Sequence, residues 1–183
     1  MTTSEKTTAR RILLVGGSLR AGSANAAALA TAARLAPAGM EAVIYRRLGD
    51  LPHFCLDDDR DPLPEPVADL RAALAGADAV FFSTPEYAGS LPGAFKNLLD
   101  WTVGGGLYGK PVGWINPSSH GGSDATYATL RSVLGFVGAR IVEDACVKIA
   151  VTRDSIDAAG SIADPDVRAA LKGAMAALVT HAD

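Results

Sequence analysis

Cysteine is almost missing from this chain: Cys55 and Cys146 are the only two in 183 residues, far apart and outside any CxxC pair. That excludes a disulfide framework, a zinc site built on paired cysteines and a thioredoxin motif, and both thiols are expected to be buried as small hydrophobes. Long apolar runs are missing too. Arg34, Arg71, Asp78, Lys96 and Lys172 interrupt the most apolar regions, so none reaches the ~18 residues from which a membrane-spanning helix is read. Charge of one sign is not in excess, with 17 Lys and Arg against 20 Asp and Glu and a net charge of −3. Without a basic block there is no electrostatic footprint for nucleic acid. The polar residues 1–10 lack the apolar stretch of a secretory signal and are expected to form a flexible tail ahead of a single domain at 11–183. A cytoplasmic location is expected.

What is present is alternation. Residues 11–15 form an apolar run that stops at Gly16-Gly17-Ser18, as a buried parallel strand does. An Ala-rich helix is predicted over 24–36, with Ser23 as its cap and Pro37 and Gly39 beyond its end. Strands are predicted at 42–45, 78–84, 110–115 and 140–145, and further helices at 67–75, 92–101, 122–136 and 165–179. The last presents Val167, Leu171, Met175 and Leu178 at helical spacing. Residues 47–66 hold five Asp and four Pro and read as a long loop. Residues 146–161 read as a polar crossover. Strands alternating with helices predict an α/β fold, a flavodoxin-like doubly wound five-stranded parallel sheet of order 2-1-3-4-5, with ligand at the carboxyl ends of its strands.

Three loops leave those ends, at 16–25, 85–90 and 116–122. The first leads into a helix N-terminus, where unpaired backbone N–H groups and the helix dipole favour an anion. Ser18, Ser23 and Asn25 add neutral donors. Arg20 adds a guanidinium fork, and no acidic residue occurs between Arg11 and Glu41 to oppose it. These features suit a phosphate, although the loop is neither a Walker A nor a GxGxxG motif. The plainer alternative is that Ser23 and Asn25 only cap the helix and Arg20 faces water. In the second loop Pro85 sets the backbone, Gly89 permits close approach of a ligand and Tyr87 offers an aromatic face.

Residues 17–25, Gly-Ser-Leu-Arg-Ala-Gly-Ser-Ala-Asn, together with the stretch Thr-Pro-Glu-Tyr-Ala-Gly-Ser-Leu-Pro-Gly-Ala-Phe-Lys-Asn-Leu-Leu-Asp-Trp at 84–101, resemble the NADPH-dependent FMN reductase family over roughly residues 11–145. The resemblance implies FMN held non-covalently, with Ser18, Arg20, Ser23, Ala24 and Asn25 at the phosphate. It implies Pro85, Glu86, Tyr87, Ala88 and Gly89 along the isoalloxazine, and Ser118, His120 and Gly121 in a Gly-rich loop beyond it. Ala88 stands where members often carry Asn, which removes a side-chain hydrogen bond and leaves the backbone N–H.

The flavin itself would carry the redox chemistry, so no catalytic side chain is expected. The implied activity is an FMN-dependent NAD(P)H oxidoreductase, using NADPH or NADH and passing electrons in a ping-pong sequence. Its acceptor would be small: a quinone, flavin, azo compound or metal oxyanion. A flavodoxin-type electron carrier is the rival reading. A receiver domain of the same fold would need carboxylates where this chain has Gly16-Gly17-Ser18. Asp57, Asp58 and Asp59 have no accompanying ligand spacing, and no metal is expected. Phe95, Leu98, Leu99 and Trp101 make the helix after Pro92 more apolar than one buried face requires. That surplus, with the family resemblance, predicts a homodimer or homotetramer.

Overall fold

A computed structural model describes residues 10–118 and 123–182. Strand β1 (Arg10–Gly16) sits second in a five-stranded sheet, followed along the chain by α1 (Ala24–Arg34), β2 (Met40–Tyr45), α2 (Glu65–Ala75) and β3 (Ala79–Ser83). Then come α3 (Gly93–Asp100), β4 (Pro111–Ile115), α4 (Asp124–Phe136), β5 (Arg140–Val147) and α5 (Pro165–Thr180). The order is β2-β1-β3-β4-β5 and every pairing is parallel, as the alternation predicts. β5 runs two residues past its expected end, with a bulge where the register slips between Val112 and Trp114 and the extra residues lie on β5.

Side chains alternate across the sheet, so each face has its own core. Leu13, Val15, Val80, Phe82 and Trp114 pack under α2, α3 and α4. Ile12, Leu14, Phe81 and Ile115 pack under α1 and α5. Asp164 caps α5 by accepting from the N–H groups of Asp166 and Val167, and the predicted Val167, Leu171, Met175 and Leu178 are its buried stripe.

Two expectations are corrected here. Phe95, Leu98, Leu99 and Trp101 are all fully buried within the one chain, so their surplus offers no face to a second subunit. The reason is the long acidic loop. Its Phe54 ring meets Trp101 edge-on at 4.9 Å, and its Pro52 carbonyl accepts from Trp101 Nε1 at 2.9 Å and from Asn97 Nδ2 at 2.8 Å. The Phe54 N–H donates to Asn97 Oδ1 at 2.7 Å, and Asp59 pairs with Arg71 at 2.6 Å. The loop is thus the second wall over α3. Lys96 and Asp100, four apart, pair within that helix at 2.6 Å.

The second correction concerns the thiols. Cys55 lies exposed on the same loop rather than buried, and Cys146 is only partly covered. Burial nevertheless pushes the Cys146 thiol up to about 12, with Glu143 adding to it, which keeps it protonated and unreactive at neutral pH.

Candidate functional site

The loops after β1 and β3 are stitched together at the sheet's carboxyl edge. The Gly17 N–H donates to the Ser83 carbonyl at 2.8 Å. A Cβ at Gly17 would stand 2.5 Å from Thr84 Oγ1 and 2.8 Å from Thr84 Cβ, so only glycine lets the two loops lie this close. Asn25, in the first turn of α1, accepts from Ser83 Oγ at 3.0 Å and bridges helix and strand beneath them.

Around α1's N-terminus the donor set is intact. Ser23 Oγ caps the helix by accepting from the Ala26 N–H at 3.1 Å, and Ser18 Oγ accepts from the Arg20 N–H at 3.3 Å. Each hydroxyl therefore keeps its hydrogen to donate outward. Ala24 opens the helix and contributes its backbone. Arg20 is exposed, and no ion pair engages its guanidinium among the described residues. No acidic residue stands in the helix's first turn. The capping role of Ser23, weighed above as the plain alternative, is real, and it leaves the anion-binding capacity of the turn in place.

The second loop is a two-residue hairpin. Tyr87 and Ser90 exchange both backbone hydrogen bonds, at 2.9 and 3.0 Å, and Ala88 and Gly89 take φ of 50° and 72°. Both central residues being left-handed makes it a type I′ turn, which prefers Asn-Gly. The Ala88 departure therefore has a backbone meaning: alanine is strained there by about 1 kcal/mol, whereas asparagine tolerates the conformation. Ala88→Asn is expected to raise stability by about 0.5–1 kcal/mol, read as a rise of a few degrees in a thermal melt, on the order of 2–4 °C per kcal/mol.

Tyr87 is half exposed at the turn, and nothing lies within 4 Å of where a Gly89 Cβ would be. Glu86 has a structural task. Its carboxylate accepts from the Thr126 N–H at 3.2 Å and from Thr126 Oγ1 at 3.0 Å, so it caps α4 from across the site. Oε2 thus ties the loop to the helix, while no hydrogen bond engages Oε1 among the described residues. Pro85 leads into the turn, Ser118 is partly buried, and His120 and Gly121 lie outside the described residues.

Sequence reasoning passed over Asn116. It follows β4, is almost fully buried, and its Nδ2 has no hydrogen-bond partner among the described residues. Its backbone N–H donates to the Tyr127 hydroxyl at 2.9 Å, which in turn donates to the Val147 carbonyl at 2.8 Å. A buried amide donor without a partner costs about 1–3 kcal/mol, a cost that an acceptor on a ligand would remove. The only sequence signal was an asparagine placed between an apolar strand and Pro117. Hydroxyl and guanidinium donors at the first loop, an aromatic edge at the second and an orphan amide at the third together fit a phosphate ester that carries a flat heteroaromatic ring.

A sequence model described as NADPH-dependent FMN reductase matches residues 10–153. An NAD(P)H-dependent FMN reductase of Pseudomonas aeruginosa is 32% identical over 173 residues, covering 92% of each chain. A 2-hydroxy-1,4-benzoquinone reductase of a Burkholderia species is 33% identical over 165 residues, covering 87% of this chain and 89% of its own. A solved flavoenzyme, an NAD(P)H:(acceptor) oxidoreductase from Paracoccus denitrificans, superposes with a TM-score of 0.82 at 31% identity, covering 94% of this chain and 97% of that one. The match begins at β1 and takes in all three strand-end loops, and the chain belongs to the NADPH-dependent FMN reductase family, a family of oxidoreductases.

Proposed function

We propose that the chain is an FMN-dependent NAD(P)H oxidoreductase that delivers electrons to a quinone in a ping-pong sequence. The carrying observation is the meeting, at one sheet edge, of an unpaired guanidinium at a helix N-terminus with an open hairpin and a buried orphan amide. The relative named as a benzoquinone reductase supports a quinone as the acceptor. When bound, FMN supplies a ring that accepts hydride from the nicotinamide and passes electrons on.

The residues have binding and orienting work. Ser18, Arg20, Ser23 and the backbone from Ala24 to Asn25 hold the phosphate. The turn from Pro85 to Gly89 holds the ring edge through its backbone, and Tyr87 flanks it. Asn116 donates to the ring's acceptor edge, and the family resemblance supports Ser118, His120 and Gly121 as further flavin contacts. Glu86 keeps the turn in register with α4. Nothing stands within 4 Å of a Gly89 Cβ, which supports nicotinamide and then the acceptor using one place in turn, the ping-pong order. No catalytic side chain is assigned.

The free cysteines suit a cytoplasmic location, and the family resemblance supports a homodimer or homotetramer. No helix among the described residues is long and apolar enough to cross a membrane.

Mixing the FMN-loaded chain with NADPH or NADH without air should bleach the flavin's visible absorbance, and a quinone added afterwards should restore it. Steady-state rates should give parallel double-reciprocal lines. A flavin that neither nucleotide bleaches would instead favour the electron-carrier reading.

A further inference from the structure

A cleft of about 550 Å³ adjoins the phosphate loop, a size within the range of about 300–1,000 Å³ typical of small-molecule sites. It does not run toward the hairpin or Asn116. Its walls are the loop around Leu19 and Arg20, one side of α1 at Ala26 and Ala30, the end of β2 at Ile44 and Arg46, and the turn at Ile156 and Gly160. In the sheet, β2 lies on one side of β1, while β3 and β4 lie on the other. Ser18, Arg20 and Ser23 line one end of the cleft, so a flavin mononucleotide with its phosphate there and its ring at the β3 and β4 loops would fill that end alone. The part beside Ile44, Arg46 and Ile156 would stay open.

Two features say what it suits. Arg20 and Arg46 both line it and are exposed, and no ion pair or hydrogen bond engages either guanidinium among the described residues. No carboxylate lines it. Beside these cations, Ala26, Ala30, Ile44 and Ile156 supply small apolar walls of the kind that flank a planar base. A cleft that starts at a phosphate, continues with cationic forks and ends in apolar walls matches a phosphate followed by a purine nucleoside.

We propose that this cleft is a subsite for an adenosine 5′-phosphate group joined to the flavin phosphate, so that the chain takes flavin adenine dinucleotide as well as FMN. The proposal rests on the reading of the β1 loop as the flavin-phosphate site. Arg46 sits beside the pyrophosphate and contributes to the dinucleotide alone, whereas Arg20 serves both flavins.

The test is competition for the full-length chain. FMN-loaded protein is equilibrated with equimolar FMN and FAD, free flavin is removed, and the bound flavins are released and quantified by chromatography. Wild type should hold the two in a ratio within about tenfold of unity. Arg46→Ala should cut the FAD share about tenfold while FMN affinity stays unchanged, because the lost contact is a charge-assisted one made only to the dinucleotide. Ala30→Leu, which fills the apolar end, should act in the same direction, with retained FMN binding as proof of folding.

FAD held at less than about one-hundredth of FMN, or a ratio indifferent to both substitutions, overturns the proposal and leaves the FMN reading standing. A chain that binds neither flavin overturns both. If adenosine 5′-monophosphate or NADPH binds the FMN-loaded chain in an Arg46-dependent way while FAD is refused, the adenosine phosphate belongs to a separate molecule and the FAD assignment falls.

Discussion

Replacing Arg20 with alanine is expected to weaken FMN binding roughly tenfold to a hundredfold, the worth of one charge-assisted contact at about 1.5–3 kcal/mol. The loop's other donors, Ser18, Ser23 and the first N–H groups of α1, are neutral, and a helix end supplies only a partial charge. Arg20 is exposed before any ligand arrives, so solvent screening holds the effect below that of a fully desolvated pair. Riboflavin separates the contact from the rest of the site. It lacks the phosphate, so it should bind wild type much more weakly than FMN and should bind Arg20→Ala no more weakly still. Arg20→Lys should fall between wild type and alanine, keeping the charge and losing the planar fork. These affinities are read by titrating the flavin's fluorescence. An Arg20→Ala chain that holds FMN as tightly as wild type would place the phosphate elsewhere.

The largest loss of stability is expected at Trp101. Its ring is fully buried between α3 and the long acidic loop, it meets Phe54 edge-on, and its Nε1 donates to the Pro52 carbonyl. Trp101→Ala removes both the packing and the tie, and it should cost about 3–5 kcal/mol in a denaturant titration. Trp101→Phe keeps most of the packing and leaves the Pro52 carbonyl short of one donor, while Asn97 Nδ2 still serves it. That variant should lose only about 1 kcal/mol through the missing bond, plus whatever the smaller ring leaves unfilled. Equal losses from the two substitutions would mean that the indole bond, rather than the ring's bulk, holds the loop.

Much of this architecture was legible before any coordinates. Apolar runs broken by Gly or Pro, alternating with Ala- and Leu-rich helical stretches, are local patterns, and period and punctuation set them within a dozen residues. The five strands and five helices followed from them, and a right-handed crossover rule then orders parallel strands. The start of α1 was also legible, because Ser23 ahead of an Ala-rich run is itself a local capping signal, and Ser23 does cap the helix.

What stayed hidden depended on contacts distant in sequence. Glu86 stands in the motif that suggested a flavin contact, and only the fold shows that its Oε2 also accepts from Thr126, forty positions away. The surplus apolar residues of α3 looked like an interface until the loop carrying Phe54 and Pro52 folded back over them. Asn116 became notable only because its burial left an amide without a partner. The cleft beside Arg46 exists because β2 lies on the far side of β1 from the ring loops. The chain's own pattern decided which segments are strands and helices and where α1 is capped, since propensity and capping act between near neighbours. The tertiary structure alone decided which side chains remain free for a ligand, since that depends on which distant partners have already claimed their donors, acceptors and apolar faces.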